Sequence, residues 1–530
     1  MQRNTQLAKL KQTEKWDFIV IGGGASGLGT ALDAASRGYK TLLLEAKDFA
    51  KGTSSRSTKL VHGGVRYLAN GDVALVREAL RERGRLAQNA SHLFKNQNFV
   101  IPNFGYFDAV KYRIGLGMYD ALSGKLSLGR TEAISKAETL ERLPTLDGQG
   151  LINGVVYKDG QFDDARLAVN MAQTIVEQGG TVLNYAKVTG LIKNDAGKIV
   201  GVKAHDELNQ ESLEILGTAI INATGVFMNE ILSMDHGSDK KFVVPSQGVH
   251  LVLDKSFNPS NDALMIPKTS DGRVLFAVPW HDKLVVGTTD TLIEEPSYEP
   301  IALEQEIQFI LDTACQYLTK KPTRADVLSV FAGLRPLAAP EKAGQSTKEV
   351  SRSHKVITDE TSGLVTITGG KWTTYREMAE DTVNTALNVH SDLPRKACVT
   401  VDLPIHGKIP ADQVDLSNHL YVYGSDIPAI RELQKEPAYA EKLHPNYGYT
   451  VAEVVWAVRE EMAQSLEDVL ARRVRLLFLD ARAAIDVAAK VAQVMAEELG
   501  KDQAWQAAQV ADFLSVAKHY LLVDYSAQSL

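Results

Sequence analysis

A glycine-rich run near the N-terminus is the clearest chemical signal in the chain. A strand-like apolar segment leads straight into residues 22–27, Gly-Gly-Gly-Ala-Ser-Gly, and Glu45 closes the next apolar segment. In this pattern Gly22 permits a tight turn, Gly24 lets the backbone approach a pyrophosphate, and Gly27 lets the following helix pack closely on the strand. Glu45 can then accept a hydrogen bond from a ribose hydroxyl. The spacing predicts a βαβ unit that binds a dinucleotide, without saying which dinucleotide.

A hydroxyl-rich loop and a histidine–glycine motif come next. The loop, residues 53–59, offers hydroxyl and N–H donors for phosphate and ribityl oxygens, and an ordinary serine-rich turn explains it equally well. Its continuation, residues 60–68, contains His62-Gly63-Gly64 and then Arg66 and Tyr67. Two glycines beside a histidine let a flat ring and a backbone come close, while Arg66 offers an anion-binding fork and Tyr67 a hydroxyl. By itself, His62 is more typical of a structural histidine.

Three later positions carry side chains that could act on a ligand. His250 lies in an alternating apolar segment, where it is either a buried histidine bonded to the backbone or a site residue. Arg335 lies among small and apolar residues, so its charge requires either a buried ion pair or an anionic ligand. Arg352 is at least as consistent with an ordinary surface position as with a site.

The turn at residues 369–375, Gly-Gly-Lys-Trp-Thr-Thr-Tyr, opens a helix directly after an apolar segment. Free N–H groups at the start of that helix, together with Lys371, could stabilise negative charge on a bound ring. A plain strand-to-helix turn with a capping threonine is the alternative. Thr374 and Glu377 have the spacing of a capping box.

These residues need a sheet to position them. Apolar segments that predict strands of a nucleotide-binding sheet occur at 16–21, 41–44, 181–185, 218–222 and 364–368. The helix after Gly27 carries Ala31, Ala34 and Ala35 on one small-residue face, and residues around 164–178 predict an amphipathic helix. Between residues 242 and 290 the hydrophobic period changes to two, which predicts an inserted antiparallel sheet with strands at 248–253, 273–278 and 284–287.

The C-terminal part of the chain has a different composition. Residues 403–410, Leu-Pro-Ile-His-Gly-Lys-Ile-Pro, predict a linker. Beyond them Ala, Glu, Leu, Val and Arg recur at helical spacing, as at 451–462 and 483–499. We therefore expect a separate helical domain.

The stretch from Phe99 to Tyr119 combines aromatic and aliphatic residues with Lys111 and Arg113. Such a mixture suits the headgroup boundary of a membrane, where rings and basic stems each find a partner. Packing beneath the inserted sheet explains it equally well.

Composition narrows the class of protein. The chain has 530 residues, enough for two or three domains, and a formal charge of -7 from 58 basic and 65 acidic residues, which gives no footprint for nucleic acid. Cys315 and Cys398 have no disulfide pattern and no metal-ligand spacing, so no metal is expected. The polar N-terminus predicts no signal peptide, and no apolar run reaches the ~18 residues that cross a bilayer. We expect a protein that is soluble or lies on a membrane surface.

Taken together, the motifs at 62–68, 333–337 and 370–375 behind the 22–27 fingerprint resemble those of the FAD-dependent glycerol-3-phosphate dehydrogenases, in the same order along the whole chain, with Glu467 to Arg473 as a C-terminal match. The resemblance implies an α/β fold: a discontinuous Rossmann-like FAD domain, an inserted antiparallel-sheet cap domain that binds the substrate, and an all-helical C-terminal domain. The expected limits are 1–69, 161–220 and 344–404 for the FAD domain, 70–160 and 221–343 for the cap domain, and 405–530 for the helical domain.

The resemblance also implies the reaction. Glycerol 3-phosphate would lose a proton from its C2 hydroxyl to a histidine and a hydride from C2 to the flavin of FAD, giving dihydroxyacetone phosphate. The family sits on the cytoplasmic face of a membrane and reduces quinone. The expected partners are therefore quinone and an anionic membrane surface on the inner face of the cell membrane, with no nucleic acid and with a homodimer as a further expectation.

Site residues carry over by position. The resemblance implies that Arg66, Tyr67, Arg335, Arg352 and Lys371 bind the substrate, with the two arginines Arg66 and Arg335 as the phosphate clamp. Catalytic roles fall to His62, His250, Arg335 and Lys371, with His62 preferred to His250 as the base. The implied FAD contacts are Gly22, Gly24, Ser26, Gly27, Glu45, Thr53, Ser54, Ser55, Ser57, His62, Gly63, Gly64, Val188, Ala223, Thr224, Gly225, Gly370, Lys371, Trp372 and Thr373.

The chain departs from the family pattern at two places. The family often has Lys-Gly-Ser-His before the cap histidine, where this chain has residues 247–250, Gln-Gly-Val-His. Arg56 and Thr58 stand in the hydroxyl loop where smaller residues or serine are usual. Three alternatives to the dehydrogenase are a glycerol-3-phosphate oxidase that passes electrons to oxygen, an amino-acid oxidase, which needs no phosphate clamp, and a flavin-binding scaffold whose helical domain recruits partners.

Overall fold

The computed structural model describes residues 1–64, 72–237, 242–338 and 354–525. Within them the strands are β1 (Trp16–Ile21), β2 (Thr41–Leu44), β3 (Leu60–Val61), β4 (Lys95–Asn103), β5 (Glu132–Ser135), β6 (Asn153–Gln161), β7 (Thr181–Leu183), β8 (Ala186–Lys193), β9 (Ile199–Asp206), β10 (Glu211–Asn222), β11 (Val243–Asp254), β12 (Ala263–Ile266), β13 (Leu275–Trp280), β14 (Lys283–Gly287), β15 (Thr291–Leu292), β16 (Val327–Ala338), β17 (Lys355–Thr358) and β18 (Val365–Thr368). The α-helices are α1 (Arg3–Gln12), α2 (Ala25–Ser36), α3 (Val73–Asn89), α4 (Tyr106–Ser123), α5 (Lys136–Arg142), α6 (Asp164–Glu177), α7 (Met228–His236), α8 (Glu304–Tyr317), α9 (Tyr375–Val389), α10 (Ile427–Leu433), α11 (Pro437–Ala440), α12 (Val451–Glu460), α13 (Leu476–Leu479), α14 (Ala481–Leu499) and α15 (Gln503–Ala517).

The first sheet is the predicted nucleotide-binding sheet. Its strand order is β17-β18-β10-β1-β2-β7, and β1 pairs in parallel with both β2 and β10. The register aligns the last residues of these three strands, Ile21, Leu44 and Asn222. The loops that follow them therefore meet at the carboxyl ends of parallel strands, where sheets of this class bind their ligands.

Helix α2 packs through the small residues that the sequence indicated. Ala31, Ala34 and Ala35 are each at most 1% exposed, and α2 contacts both α6 and α9. A Cβ on Gly29 would lie 3.0 Å from the ring of Tyr375 in α9. Small side chains thus bring three helices against one face of the first sheet and fix the direction in which α2 leaves the glycine turn.

The second sheet contains the predicted antiparallel strands. Its order is β15-β11-β14-β13-β12-β4-β6-β3, with β16 beside β11 and β5 beside β6. The predicted strands at 248–253, 273–278 and 284–287 correspond to β11, β13 and β14. Because β11 and β16 pair with Gly248 opposite Gly333 and His250 opposite Phe331, His250 and Arg335 lie on neighbouring strands.

The chain passes between the two sheets four times in the described residues, after β2, β6, β10 and β16. The first passage carries the hydroxyl loop, since β2 belongs to the first sheet and Leu60 in β3 pairs with Gln161 in the second. The domain limits given above stay a prediction.

The C-terminal helices share cores with the rest of the molecule. Val454, Leu470 and Leu477 belong to a hydrophobic cluster that also contains Trp280 and Phe331 of the second sheet. The expected helical region is present, and it shares part of its core with the second sheet. The predicted linker contains no helix or strand, yet Ile405 within it is only 2% exposed.

The stretch from Phe99 to Tyr119 is divided between core and surface. Phe99 and Leu116 are buried in a cluster with Tyr157 and Val278 of the second sheet. On α4, by contrast, Val110 and Met118 are 59% and 52% exposed. The side chains of Lys111 and Arg113 lie outside the described part of the chain. In that part, no helix combines the length and the apolar character that a membrane crossing needs.

Candidate active site

A cavity of about 620 Å³ is lined by residues from both sheets. It brings together most of the predicted FAD contacts, which lie on its wall: Gly22, Gly24, Ser26, Glu45, Thr53, Ser54, Ser57, His62, Val188, Ala223, Thr224, Gly225, Gly370, Lys371, Trp372 and Thr373. Four others, Gly27, Ser55, Gly63 and Gly64, do not line it. His250 and Arg335 line the same cavity. A dinucleotide-binding turn and two candidate substrate residues thus face one space.

The glycine turn is held by backbone contacts that leave no room for side chains. Gly22 has φ +112°, and a Cβ there would lie 2.6 Å from the carbonyl oxygen of Ala223. A Cβ on Gly27 would lie 1.8 Å from the carbonyl oxygen of Gly22. At Gly24 the nearest atom to an added Cβ is the Ser54 hydroxyl, at 3.1 Å. The packing of the protein therefore requires glycine at positions 22 and 27, whereas Gly24 borders the cavity.

Glu45 anchors this turn from the end of β2. Its carboxylate accepts hydrogen bonds from the N–H groups of Gly23, at 2.5 Å, and Lys47, at 2.8 Å. Burial raises the pKa of Glu45 above its usual value. The carboxylate also borders the cavity, where it can accept a hydrogen bond from a ribose hydroxyl. The turn, the alignment of three strand ends and this acid together form a cradle that fits the adenosine and pyrophosphate parts of FAD.

His250 is buried and firmly placed. It is 2% exposed, and its ring stacks on Phe331 with centroids 4.8 Å apart. Its Nε2 is 2.9 Å from the hydroxyl of Thr58, whereas Nδ1 has no hydrogen-bond partner among the described residues. Burial, together with the positive charges of Lys59 and Arg335, holds the pKa of His250 well below its usual value. His250 is therefore a neutral ring at physiological pH.

Arg335 has the acidic neighbour that the sequence offered as one of two alternatives, and it also borders the cavity. Its guanidinium donates to the carbonyl oxygen of Thr289 and to the hydroxyl of Thr288, each at 3.2 Å, and lies 3.6 Å from the carboxylate of Asp290. The side chain is 30% exposed and borders the cavity. A Cβ on Gly248 would lie 2.4 Å from its Nη2. The glycine thus makes room for a cation whose partly exposed side chain faces the cavity.

The turn at 369–375 follows β18 directly, as predicted, and it contacts the other site segments. The indole N–H of Trp372 donates to the carbonyl oxygen of Ser54 at 2.8 Å. The hydroxyl of Thr373 donates to the carbonyl oxygen of His62 at 3.3 Å. The capping box is wrong: Thr374 makes no side-chain cap, and the Glu377 carboxylate instead accepts hydrogen bonds from Arg81. A distant arginine has taken the carboxylate that the cap would need.

His62 is half-buried and lies on the cavity wall. Arg66, Tyr67 and Arg352 lie outside the described residues, so their predicted roles in substrate binding stay predictions. Cys315 and Cys398 are free thiols, and neither lines the cavity.

The two departures from the family pattern acquire partners in the fold. The side-chain amide of Gln247 donates to the carboxylate of Glu306 at 2.7 Å, behind β11. Arg56 donates to the Glu299 carboxylate at 2.5 Å, and Thr58 contacts His250 as described. Gln247, Arg56 and Thr58 therefore each take part in a specific polar contact.

Sequence reasoning missed several residues of the wall. Lys51, Arg56 and Thr58 line the cavity, and so do Phe227 and Tyr298, whose rings stack at 4.1 Å. Arg56 and Thr58 lie in the hydroxyl loop, and Lys51 lies two residues before it, so extending the predicted contacts to that whole stretch includes all three. Tyr298 lies in a turn-rich stretch after β15, and its sequence neighbourhood carries no signal.

Comparison with known proteins points to one family. A family model described as FAD dependent oxidoreductase matches residues 17–376, and one described as the C-terminal domain of alpha-glycerophosphate oxidase matches residues 363–506. The chain is 39% identical over 521 residues to a probable mitochondrial glycerol-3-phosphate dehydrogenase of Dictyostelium discoideum. This alignment covers 91% of this chain and 80% of that protein. It is 36% identical over 560 residues to the mitochondrial glycerol-3-phosphate dehydrogenase of Bos taurus, with 99% and 76% covered.

Solved structures agree. The glycerol-3-phosphate dehydrogenase from Bacillus halodurans complexed with FAD superposes with a TM-score of 0.80 at 28% identity, covering 99% of each chain. The L-alpha-glycerophosphate oxidase from Mycoplasma pneumoniae with FAD bound shares the fold, with a TM-score of 0.54 at 17% identity over 71% of this chain and 95% of that one.

Proposed function

The chain belongs to the family of FAD-dependent glycerol-3-phosphate dehydrogenases, and from that premise we propose that it oxidises glycerol 3-phosphate to dihydroxyacetone phosphate and passes the electrons to a membrane quinone. One observation carries the proposal: a single cavity is lined by a dinucleotide-binding glycine turn and by an arginine and a histidine on the neighbouring strands β11 and β16. The first supports FAD binding, and the second supports recognition of a phosphorylated alcohol beside it.

Residues of the first sheet would hold the cofactor. The N–H groups of the turn at 22–27 would donate to the pyrophosphate, Glu45 would accept from the ribose, and the hydroxyl of Ser54 would donate to a further oxygen. Thr53 and Ser57 would line the site, since their hydroxyls donate to Leu334 and Asp164 within the protein. When bound, FAD supplies the acceptor for the hydride that leaves C2 of the substrate. The backbone at Gly370 and the side chain of Lys371 border the cavity and are placed to favour negative charge there.

Arg335 would bind the substrate phosphate. A guanidinium offers two parallel N–H donors to an anion, and Asp290 at 3.6 Å helps to orient the group. The side chain is partly exposed and borders the cavity, so an incoming phosphate can reach it. Arg66, Tyr67, Arg352 and Lys371 are proposed to complete the phosphate pocket.

His62 is the better candidate for the base. A base must accept a proton from the C2 hydroxyl, and His250 is poorly suited because burial and two nearby cations oppose a positive charge on its ring. The Nε2 of His250 is also occupied by Thr58. His62 borders the cavity and is half-buried. We assign proton removal to a ring nitrogen of His62, and to His250 the orientation of the substrate as a neutral hydrogen-bonding group.

The reaction is tested by adding candidate substrates to the yellow holoenzyme without oxygen. Glycerol 3-phosphate should bleach the flavin absorbance, whereas glycerol and a panel of amino acids should not, because they lack a phosphate for Arg335. Bleaching by an amino acid but not by glycerol 3-phosphate would overturn the substrate assignment.

Helix α4 supports the membrane part of the proposal. Val110 and Met118 lie eight residues apart and therefore share one face of the helix, and both are exposed, while Leu116 and Tyr119 on the other face are buried. An exposed apolar helix face is the feature by which a protein lies in the headgroup region of a bilayer. We propose that this face contacts the cytoplasmic side of the cell membrane, where quinone is available.

An oxidase is the second candidate. It is favoured by the match of residues 363–506 to a domain described from alpha-glycerophosphate oxidase. Such an enzyme would use the same substrate contacts and deliver electrons to oxygen as peroxide.

Vesicles distinguish the two candidates. With anionic vesicles that contain a quinone, the wild-type enzyme should sediment with the lipid and reduce quinone faster than oxygen. The double variant Val110→Asp/Met118→Asp should lose vesicle binding and keep activity with a soluble dye, while Leu514→Asp on α15, at a site 37% exposed, should leave both unchanged. Stoichiometric peroxide without vesicle binding would favour the oxidase.

A further inference from the structure

The segment from Asp48 to Lys59 has the cavity on one side and the C-terminal helical region on the other. We propose that residues 467–478 are an indirect part of the cofactor site: their buried side chains hold this segment in the conformation that binds FAD, so that FAD binding and docking of the C-terminal region stabilise each other. The proposal concerns FAD alone. It does not depend on the identity of the substrate or of the electron acceptor.

The inner side of the segment belongs to the cavity. Its lining residues are Ala50, Lys51, Gly52, Thr53, Ser54, Arg56, Ser57 and Thr58. The segment also contacts the substrate side, because Arg56 donates to the carbonyl oxygen of Ala332 in β16 and Thr58 contacts His250. A change in its position would therefore alter the cavity at both ends.

At its start the segment is fixed by two arginines of the C-terminal region. The carboxylate of Asp48 accepts from Arg472 Nε at 2.6 Å and from both terminal nitrogens of Arg473, at 2.9 and 3.0 Å. All three side chains are at most 2% exposed. Burial alone would raise the pKa of Asp48, but the charges of Arg473 and Arg472 outweigh it and lower that pKa. The carboxylate is therefore ionised and depends on the C-terminal arginines for its partners.

At its end the segment is fixed by Arg475. The Nη2 of this arginine donates to the carbonyl oxygen of Ser55 and to the carboxylate of Asp164, each at 3.0 Å. The other oxygen of Asp164 accepts from the hydroxyl of Ser57 at 2.6 Å and from Lys59 at 2.7 Å. Asp164 thus joins Arg475 to Ser57, which lines the cavity.

The backbone of the C-terminal region is shaped to deliver these arginines. Residues Asp468–Arg473 form a π-helical turn, a rare element that recurs at functional sites. Arg475 has φ +62°, a left-handed conformation that is uncommon and unfavourable for a residue with a side chain. Its guanidinium nevertheless donates to three acceptors in the interior, the carbonyl oxygens of Ala471 and Ser55 and the carboxylate of Asp164. The contacts with Ser55 and Asp164 are what offsets this local strain.

The buried charged side chains at this interface depend on partners of opposite charge. Four carboxylates, Asp48, Asp163, Asp164 and Asp468, meet four basic side chains, Lys59, Arg472, Arg473 and Arg475, and each belongs to a residue at most 2% exposed. Neither set is stable in the interior without the other, because a buried charge requires a partner. Ordering of the segment and docking of residues 467–478 are consequently one event. A ligand that binds only the ordered segment must stabilise the docked region by the same free energy.

A matched pair of arginine variants tests the inference. Arg475→Met removes the contacts with Ser55 and Asp164. Arg166→Met breaks the bidentate pair with Glu461, which is equally buried and joins the same two regions, but does not touch residues 48–59. Both variants should lower the melting temperature of the apoprotein, and only Arg475→Met should raise the Kd for FAD, by about tenfold or more. An equal change of FAD affinity in the two variants, or none in Arg475→Met, would overturn the proposal.

A milder variant and a measurement on the unmodified chain cover the case in which Arg475→Met does not fold. Glu467 accepts from Lys51 at 2.5 Å and from Arg472 at 2.6 Å, so Glu467→Gln should speed FAD release, as followed by the recovery of free flavin fluorescence. In the wild-type protein, removal of FAD should speed hydrogen exchange at amides 465–478 and leave amides of α15 unchanged. Unchanged exchange at 465–478 would contradict the coupling even if the enzyme oxidises glycerol 3-phosphate as proposed.

Discussion

The two ends of the cavity are built on different principles. The cofactor end is formed by residues 22–27 and Glu45, which lie close in sequence and are positioned by backbone contacts around three parallel strand ends. The substrate end takes His250, Arg335 and Lys371 from two strands and a turn that are distant in sequence. There His250 contacts the Thr58 hydroxyl and Arg335 lies beside the Asp290 carboxylate. Shape therefore dominates at the first end and charge at the second. Added atoms should damage the cofactor end, and altered charges the substrate end.

The largest expected effect is on the cofactor end. Gly27→Ala should abolish FAD loading, because the new Cβ would lie 1.8 Å from the carbonyl oxygen of Gly22 and the turn cannot yield without breaking the β1–α2 junction. Gly24→Ala should lose much less FAD, since the hydroxyl of Ser54 at 3.1 Å can move. The flavin-to-protein ratio measures this, with circular dichroism as a control for folding. Full flavin in Gly27→Ala would contradict the steric account.

The next effect separates the two histidines of the substrate end. His62→Asn should lower kcat by about 10³-fold, as expected for loss of a general base. His250→Asn should lower it by only about tenfold, because a neutral orienting group is replaced by another. The pH dependence of kcat/KM provides the check. An inflection due to the base should disappear in His62→Asn and persist in His250→Asn, and the reverse pattern would exchange the two roles.

A substitution that alters the charge of Arg335 should lower kcat/KM for the substrate and leave FAD binding unchanged. Arg335→Met should reduce kcat/KM for glycerol 3-phosphate by about 10²-fold while FAD content stays normal, and Arg335→Lys should recover only part of the loss. Gly248→Ala should act in the same direction but more weakly, because its Cβ would displace the guanidinium, 2.4 Å away, without removing the charge. Steady-state kinetics at saturating acceptor measure all three. A normal kcat/KM in Arg335→Met would remove this residue from the phosphate site.

The smallest expected effect is on the pH dependence of stability, and it comes from His406, which lies away from both ends of the cavity. Burial alone would lower the pKa of His406, but its hydrogen bonds to Asp426 and Glu177 raise it to about 9. A raised pKa means that the stabilisation is complete below the unfolded value of about 6.5 and is lost as the pH rises through about 9. Half-exposure of Glu177 limits the effect to about 1–2 kcal/mol.

Thermal unfolding checks this prediction. Between pH 6.5 and 9.5 the melting temperature of the wild-type protein should fall further than that of His406→Gln. The two proteins should have equal kcat/KM at pH 7, since none of the three groups lines the cavity. Parallel melting curves across this range would show that the histidine carries no such stabilisation.

Helical and strand segments with strong local patterns were predictable. The βαβ unit, the strands of the second sheet at 248–253 and 284–287, and α6 all occur where periodicity placed them. The capping box at Thr374 was wrong because Arg81, distant in the chain, takes the carboxylate of Glu377. Spacing can only show that a local bond is available. It does not show whether a charged side chain from a distant part of the chain binds the same carboxylate instead.

The sequence by itself determined the cofactor turn, because its requirements are steric and lie within about one βαβ unit. Only the tertiary structure decided the state of the groups around it. It made His250 neutral by burying it near Lys59 and Arg335, gave Arg335 a partner in Asp290, and brought Arg472, Arg473 and Arg475 behind the segment from Asp48 to Lys59. Charge and burial depend on neighbours that converge from distant parts of the chain, and such neighbours leave no local pattern in the sequence.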